Sequence, residues 1–212
     1  LRASAADVFV VIYYGKILPK EVLDIPKRGT LNIHFSLLPR WRGTSPVRAA
    51  IASDDKEIGT SIILLDEEID HGPVVAQKKI AVTDWPVKAS ELEEDMTHES
   101  AKLLIEILPS WVEEEIEAQE QNHDLATSCP AYEKKDGLLD LAGDPYQNLL
   151  KIRAFDTTVG THAFFMRGGK KVRVQILDAH LEHGKFIIDT VKPEGKREMP
   201  YEEFLRSGAK PA

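Results

Sequence analysis

Asn32 and His34 are the two residues of this sequence whose types and spacing most directly suggest chemistry. They stand two positions apart and alternate with the apolar Leu31 and Ile33. Such alternation predicts a β-strand, on which residues two apart point to the same face. A side-chain amide can donate a hydrogen bond to an oxygen that gains negative charge. An imidazole beside it can hold or pass a proton near neutral pH.

The residues after this strand, 36–39, predict a turn. Pro39 cannot donate a hydrogen bond to a sheet and disfavours helical backbone at Leu38. The pair would then lie where a strand meets a loop, which is where open α/β sheets bind ligands. Asp70, in an acidic loop at 66–72 after another apolar strand, is a candidate third member that could orient the imidazole.

Plainer interpretations of the same residues stay open at this point. An isolated pair of this kind is compatible with Asn32 as a turn residue and His34 as a hydrogen-bonded interior histidine. A metal site is not predicted, because the sequence has neither a His-x-x-x-His spacing nor a pair of cysteines. A hydrolase nucleophile at Ser36 is disfavoured, since the Gly-x-Ser-x-Gly elbow is absent.

Length and composition describe a globular protein. A chain of 212 residues with 42% hydrophobic residues predicts one large or two modest domains. The single cysteine, Cys129, excludes an internal disulfide framework and fits a reducing cytosol. The longest apolar run, Val8 to Tyr14, is well short of the roughly 20 residues of a membrane helix. We therefore predict a cytoplasmic protein without a membrane segment.

The net charge of −8 is concentrated in one part of the chain. Residues 84–124 hold 2 basic and 13 acidic residues, whereas the segments on either side are close to neutral. The Glu-rich stretch is most simply the solvated face of a helix. The total charge therefore does not argue against RNA binding by the outer segments.

The elements that would position the candidate residues begin with a βαβ unit. Val8 to Tyr14 predicts a strand of a parallel sheet covered on both faces, followed by a short helix to about Leu23 and the strand 30–34. Further elements follow in chain order: a helix from Pro46 to about Ser53, strands at 59–65 and 73–82, and a helix over 89–118 interrupted at Pro109.

A polar, aperiodic stretch at 119–130 predicts an interdomain linker. We therefore divide the chain into a first domain at 1–118, the linker, and a second domain at 131–212. In the second domain, Asp144-Pro145 predicts the start of a helix to about Ala154. Short strands near 163–166, 172–179 and 185–191 and a last helix at 201–205 fit a small barrel.

Four stretches in order resemble one known family, the formyltransferases that use 10-formyltetrahydrofolate, and within it the methionyl-tRNA formyltransferases. They are Asn32-x-His34-x-Ser36-Leu37-Leu38-Pro39, Arg42-Gly43, Ser45-Pro46 and Leu65-Asp66-x-x-Ile69-Asp70-x-Gly72. The resemblance implies an α/β fold with a Rossmann-like sheet that is incomplete at the N-terminus, its first strands preceding Leu1. It further implies a small C-terminal OB-like β-barrel, whose usual opening matches Ala131-Tyr132-x-Lys134-Lys135.

The resemblance also implies roles for individual residues. Asn32, His34 and Asp70 match the catalytic residues of the family, which uses no metal. The positions that match its folate-binding residues are Ile17, Leu18, Ser36, Leu37, Leu38, Pro39, Glu67 and Ile69. Phe35 stands where a smaller residue or a proline is common, which would narrow the mouth of the pocket.

The partner that the resemblance implies is initiator methionyl-tRNA, bound by a monomer. Candidate RNA-binding residues are basic or aromatic: Arg40, Trp41, Arg42, Lys134, Lys135, Lys170, Lys171 and Arg173. Residues 156–163 depart from the family, since they lack the Trp and Pro that it usually has in this turn. Two alternatives are a formyltransferase acting on an amino-sugar nucleotide and a non-catalytic module that binds RNA or folate.

Overall fold

The computed structural model describes residues 1–212, which divide into two compact units. The first consists of Leu1–Ala50, Lys56–Thr83 and Leu92–Ala131, and the second of Ile51–Asp55, Asp84–Glu91 and Tyr132–Ala212. No helix in the chain has both the length and the apolar character needed to cross a bilayer. The domain boundaries proposed from the sequence stay predictions.

The first unit is built on a four-stranded mixed sheet. Strand β1 (Phe9–Val11), helix α1 (Lys20–Leu23) and strand β2 (Thr30–His34) form the predicted βαβ unit, with β1 and β2 parallel. After β3 (Arg42–Gly43) and helix α2 (Pro46–Ala52), strands β4 (Gly59–Leu64) and β5 (Val74–Lys79) add an antiparallel hairpin. The resulting strand order is β1-β2-β4-β5.

The first strand differs from its prediction. Only Phe9–Val11 is a strand, and Val10 and Ile12 are each 42% exposed instead of buried. Within residues 1–212, β1 pairs with β2 alone. The central strands β2 and β4 are the buried ones, with Leu31 and Ile62 fully enclosed.

The long acidic stretch forms helix α3 (Ala89–Val112), which continues through Pro109 and ends before the predicted limit. The segment that follows runs back along the first unit. Backbone groups of Gln119 and Val74 exchange two hydrogen bonds of 2.8 Å, and a 3-10 turn spans His123–Leu125. Strand β6 (Ser128–Cys129) then pairs in parallel with β3.

The second unit is an antiparallel sheet with two helices. Its elements are α4 (Pro145–Ala154), β7 (Thr161–Arg167), β8 (Lys170–Glu182), β9 (Lys185–Pro193), β10 (Met199–Pro200), α5 (Tyr201–Arg206) and β11 (Lys210–Pro211). Asp144 caps α4 as predicted, its carboxylate accepting a 2.8 Å hydrogen bond from the backbone N–H of Gln147. Ile152, Phe165 and Phe204 lie in the core of this unit.

The predicted OB-like barrel is not confirmed. The strand order is β10-β9-β8-β7-β11, and the two outer strands do not pair with each other, so the sheet stays open. Closure of a barrel requires its first and last strands to hydrogen-bond. Here β10 and β11 contain two residues each and each pairs with a single neighbour.

Candidate active site

Strand β2 holds Asn32 and His34 at the centre of the sheet. It lies between β1 and β4, so backbone hydrogen bonds fix it on both sides. The hydroxyl of Thr60 on β4 also donates to the carbonyl of His34 at 3.2 Å. The strand end therefore presents both side chains from a rigid support, as their spacing predicts.

The turn after β2 is fixed by hydrogen bonds within itself and to strands β4 and β5. Ser36 Oγ donates to the carbonyl of Arg40 at 2.6 Å, and the backbone N–H of Leu38 donates to Ser61 Oγ at 3.0 Å. The side-chain amide of Gln77 donates to the Leu38 carbonyl at 2.7 Å. These bonds fix the path of the chain from His34 to Trp41.

The Trp41 carbonyl sets the tautomer of His34. It accepts a 2.9 Å hydrogen bond from Nε2, so the proton of the neutral ring lies on Nε2 and Nδ1 is left as an acceptor. The imidazole is only 6% exposed, and this burial lowers its pKa below the ordinary value of 6.5. The Asp70 carboxylate and the Trp41 carbonyl act in the opposite direction. Near neutral pH His34 is therefore an uncharged ring able to accept a proton at Nδ1.

Asp70 meets both residues of the pair. Its Oδ2 lies 3.5 Å from His34 Nδ1, and its Oδ1 lies 3.5 Å from the amide nitrogen of Asn32. The closest contact of the carboxylate is a 2.8 Å hydrogen bond that Oδ2 accepts from the backbone N–H of Gly43. The backbone of Asp70 is left-handed, with φ of 48°. The structure thus brings together the three residues that the sequence singled out.

A cavity of about 360 Å³ opens beside these three side chains. Most of the side chains that line it are apolar, including Val11, Ile12, Ile17, Leu18, Ile33 and Ile69. Phe35 also lines it and packs edge-on against Tyr13, with ring centroids 5.2 Å apart. An apolar slot with a few polar groups at one wall is typical of a small-molecule site.

The predicted folate-binding residues divide into two groups. Ile17, Leu18 and Ile69 line the cavity. Ser36, Leu37, Leu38, Pro39 and Glu67 do not line it, and the first four form the turn described above. A folate contact by this second group stays a prediction.

The cavity wall also contains an ion pair that was not predicted from the sequence. Arg48 Nη1 lies 2.8 Å from Glu93 Oε1, and both side chains line the cavity with Tyr13. Burial, followed by the charge of Glu93, raises the pKa of Tyr13 to about 12, against the opposite effect of Arg48. No local pattern signals this pair, since its members are 45 positions apart on α2 and α3.

Arg40, Trp41 and Arg42, the candidate RNA-binding residues after the turn, differ in their surroundings. Arg42 donates from Nη2 to Gln121 Oε1 at 2.7 Å and to His123 Nδ1 at 2.8 Å, and from Nε to Gln121 Oε1 at 3.2 Å. The backbone N–H of Trp41 donates to Thr127 Oγ1 at 2.9 Å. Arg40 is exposed. Contact of these three residues with RNA stays a prediction, and for Arg42 the internal bonds supply another role.

The candidate RNA-binding residues of the second unit lie on its surface. Lys134, Lys135, Lys170 and Lys171 are exposed. Lys171 Nζ stands 4.6 Å from the centre of the Phe164 ring, and Arg173 is the cross-strand partner of Phe164. Lys135 pairs with Glu133 at 2.9 Å. Binding of RNA by this set also stays a prediction.

Comparison with known sequences finds relatives of this chain. The family model described as "Formyl transferase" matches residues 1–108. A methionyl-tRNA formyltransferase of Myxococcus xanthus (strain DK1622) is 34% identical, over 97% of this chain and 72% of the relative. Several other bacterial relatives, at 32–38% identity, carry the same name.

Solved structures share the fold. A methionyl-tRNA formyltransferase from Clostridium thermocellum superposes with a TM-score of 0.65 at 20% identity, over 88% of this chain and 77% of that chain. HypX from Aquifex aeolicus, in complex with tetrahydrofolic acid, gives a TM-score of 0.72 at 18% identity. That match covers 94% of this chain and 38% of HypX.

Proposed function

Since this chain belongs to the formyl transferase family, we propose that it transfers the formyl group of 10-formyltetrahydrofolate to the amino group of methionyl initiator tRNA. The observation that carries the proposal is the meeting of Asn32, His34 and Asp70 at the wall of one apolar cavity. The name shared by the curated relatives supports the acceptor. Tetrahydrofolate bound to a protein of the same fold supports the donor.

The three side chains match the needs of this reaction. Moving a formyl group between two nitrogens places negative charge on the formyl oxygen, removes a proton from the attacking amine and supplies one to the leaving nitrogen. Asn32 donates its amide hydrogen to that oxygen, a preorganised contact typically worth about 3 kcal/mol. His34 takes the amine proton at Nδ1 and returns it to the leaving nitrogen.

Asp70 stabilises the positive charge that His34 carries between the two proton transfers. While the imidazole is neutral, its Nδ1 lies 3.5 Å from Oδ2 of the carboxylate, and the contact is weak because both atoms are acceptors. Once the ring is protonated, its positive charge is attracted to the nearby carboxylate, and the interaction becomes favourable. The carboxylate therefore assists the transferred state more than the resting state, as transition-state stabilisation requires.

The cavity fits a folate as the donor. Ile17, Leu18 and Ile69 would pack against the flat heterocycle, and the polar wall of Asn32, His34 and Asp70 would face the formyl group. Its volume, about 360 Å³, lies within the usual range for small-molecule pockets. A metal-free reaction, a monomeric state and a cytoplasmic location are further predictions of the same proposal.

The alternatives carry less support. An amino-sugar nucleotide as acceptor would use the same three residues, but the curated relatives named here are methionyl-tRNA formyltransferases. A non-catalytic binding module would not require an amide, an imidazole and a carboxylate to meet.

The acceptor is tested by competition. The chain is incubated with 10-formyltetrahydrofolate labelled in the formyl group, with methionyl initiator tRNA and an amino-sugar nucleotide present together. We expect the label on the tRNA. Label on the sugar nucleotide would overturn the proposed acceptor but keep the chemistry, and label on neither would support the binding-module alternative.

A further inference from the structure

Gln121 connects the loop that bears Asp70 with the segment Arg42–Gly43, which binds the Asp70 carboxylate. Its side chain is buried, with 6% exposure, and every hydrogen-bonding position of the amide is used. Nε2 donates to the carbonyls of Asp70 and Gly72, at 2.9 and 2.8 Å. Oε1 accepts two hydrogen bonds from the guanidinium of Arg42. Since both amide hydrogens go to one loop, the side chain acts as a clamp on that loop.

The clamped loop has a conformation that needs support. The backbone of Asp70 is left-handed, a conformation that residues other than glycine adopt infrequently, although Asp adopts it more readily than most. Two positions later, a side chain on Gly72 would collide with the Leu64 carbonyl, because a Cβ atom there would lie 1.9 Å from its oxygen. The carbonyls fixed by Gln121 belong to these two residues, so the amide stabilises the backbone that aims the carboxylate.

The Oε1 end of the Gln121 amide binds the residue next to Gly43, whose backbone N–H contacts the Asp70 carboxylate. Arg42 directly precedes Gly43, whose N–H donates to Asp70 Oδ2. The backbone N–H of Arg42 also donates to the Thr127 carbonyl at 2.8 Å. The segment 119–129 therefore contacts the loop that carries Asp70 and the turn that binds its carboxylate.

We propose that Gln121 is a positioning residue of this site, which acts on formyl transfer through the placement of Asp70 against His34 and Asn32. The inference rests on the proposed function and deepens it. It also gives Arg42 a role inside the protein, as the partner that orients the Gln121 amide.

The first test replaces Gln121 by Met, which has a similar length but neither donates nor accepts in this way. We expect kcat to fall by about ten- to a hundredfold, since small displacements of catalytic groups have effects of this size. KM for the formyl donor should change by less than about threefold, because Gln121 does not line the cavity. Glu120→Gln is the matched control, since that residue is exposed, and it should behave as the wild type.

A second variant separates the two ends of the amide. Gln121→Glu keeps an oxygen for Arg42 but cannot donate to the Asp70 and Gly72 carbonyls. We expect it to lose kcat as Gln121→Met does. Wild-type kcat in Gln121→Glu would show that the two donated hydrogen bonds do not matter, and would overturn the proposal.

A double-mutant cycle tests whether the effect passes through Asp70. In an Asp70→Asn background, Gln121→Met should cause little further loss of kcat, because residues acting as one unit are not additive. If the two losses instead multiply, Gln121 acts independently of Asp70, and the assignment as its positioning residue is wrong.

A titration of His34 by NMR tests the geometry without any activity. Asp70 is the charged group that faces this imidazole and raises its pKa. When Gln121→Met loosens the carboxylate, the pKa of His34 should fall, and an unchanged pKa would contradict the proposal. If Gln121→Met has no cooperative thermal transition, Gln121→Asn, with a shorter amide, is titrated in its place. This result does not depend on the acceptor, so its failure is distinct from failure of the proposed function.

Discussion

At the level of single residues, two opposite effects act on His34. Burial keeps its ring neutral, and the nearby Asp70 carboxylate favours its protonated form. Local periodicity was enough to pair Asn32 with His34, because residues two apart on a strand share a face. The acidic loop after an apolar strand made Asp70 a candidate third member, but its contact with Asn32 joins positions 38 apart, which no local pattern predicts. The role of Arg42 was not foreseen, because its partner Gln121 lies 79 positions along the chain.

Removing the proton acceptor or its carboxylate should impair turnover more than binding. We expect His34→Ala and Asp70→Asn each to lower kcat by on the order of a hundredfold or more, because both act on the proton transfer. Affinity for the folate, measured by fluorescence titration, should largely survive. Unfolding of both variants, seen as loss of a cooperative thermal transition, would instead indicate a structural role.

The pH dependence follows from the depressed pKa of His34. Its folded value lies below 6.5, so the neutral ring dominates at pH 7 and becomes protonated as the pH falls through that lower value. We expect kcat/KM to be level near pH 7 and to decline on an acid limb centred below pH 6.5. The same group contributes stability above its unfolded pKa, and this stability is lost as the pH falls through the folded value.

Asp70→Asn should move this acid limb to still lower pH, because the carboxylate opposes the effect of burial on the imidazole. Profiles of kcat/KM against pH for the two proteins provide the comparison. A limb that stays in place would mean that Asp70 does not act on the titration of His34.

At the scale of elements, most helices and strands could be read from local patterns. The Asp144-Pro145 pair begins α4 as predicted, and β7, β8 and β9 lie where β-rich stretches occur. What local patterns did not determine was which strands pair. β4 and β5 run antiparallel and the second sheet stays open, both of which depend on long-range contacts.

The cap of α4 offers a quantitative check of the second unit. Asp144→Ala removes the hydrogen bond to the Gln147 N–H and should lower the free energy of unfolding by about 1 kcal/mol. Asp144→Asn, which can still accept this bond, is the control and should cost less. Denaturant unfolding of the three proteins measures the difference. Equal loss in both variants would contradict a capping role.

At the scale of the whole molecule, the net charge of −8 is compatible with an RNA substrate because the acidic excess is confined to residues 84–124. The surface of the second unit instead carries Lys170, Lys171 and Arg173 on neighbouring positions of β8. Phosphate contacts by such residues weaken as the salt concentration rises, because the release of counterions from the RNA then favours binding less.

Substituting these three residues by Gln should therefore raise KM for the tRNA and leave KM for the folate unchanged. The slope of log K for tRNA binding against log salt should become shallower by about one per phosphate contact removed. Lys185→Gln, at the exposed first position of β9, is the control. If the triple variant binds tRNA with the wild-type salt dependence, the predicted RNA surface lies elsewhere.

Formyl transfer by this site is tested most directly by a single-turnover measurement with methionyl initiator tRNA, using the wild-type chain and folded His34→Ala. We expect rapid formation of formyl-methionyl-tRNA by the wild type and a rate on the order of a hundredfold lower in the variant. Equal rates in the two proteins, or no product from either above the enzyme-free control, would contradict it.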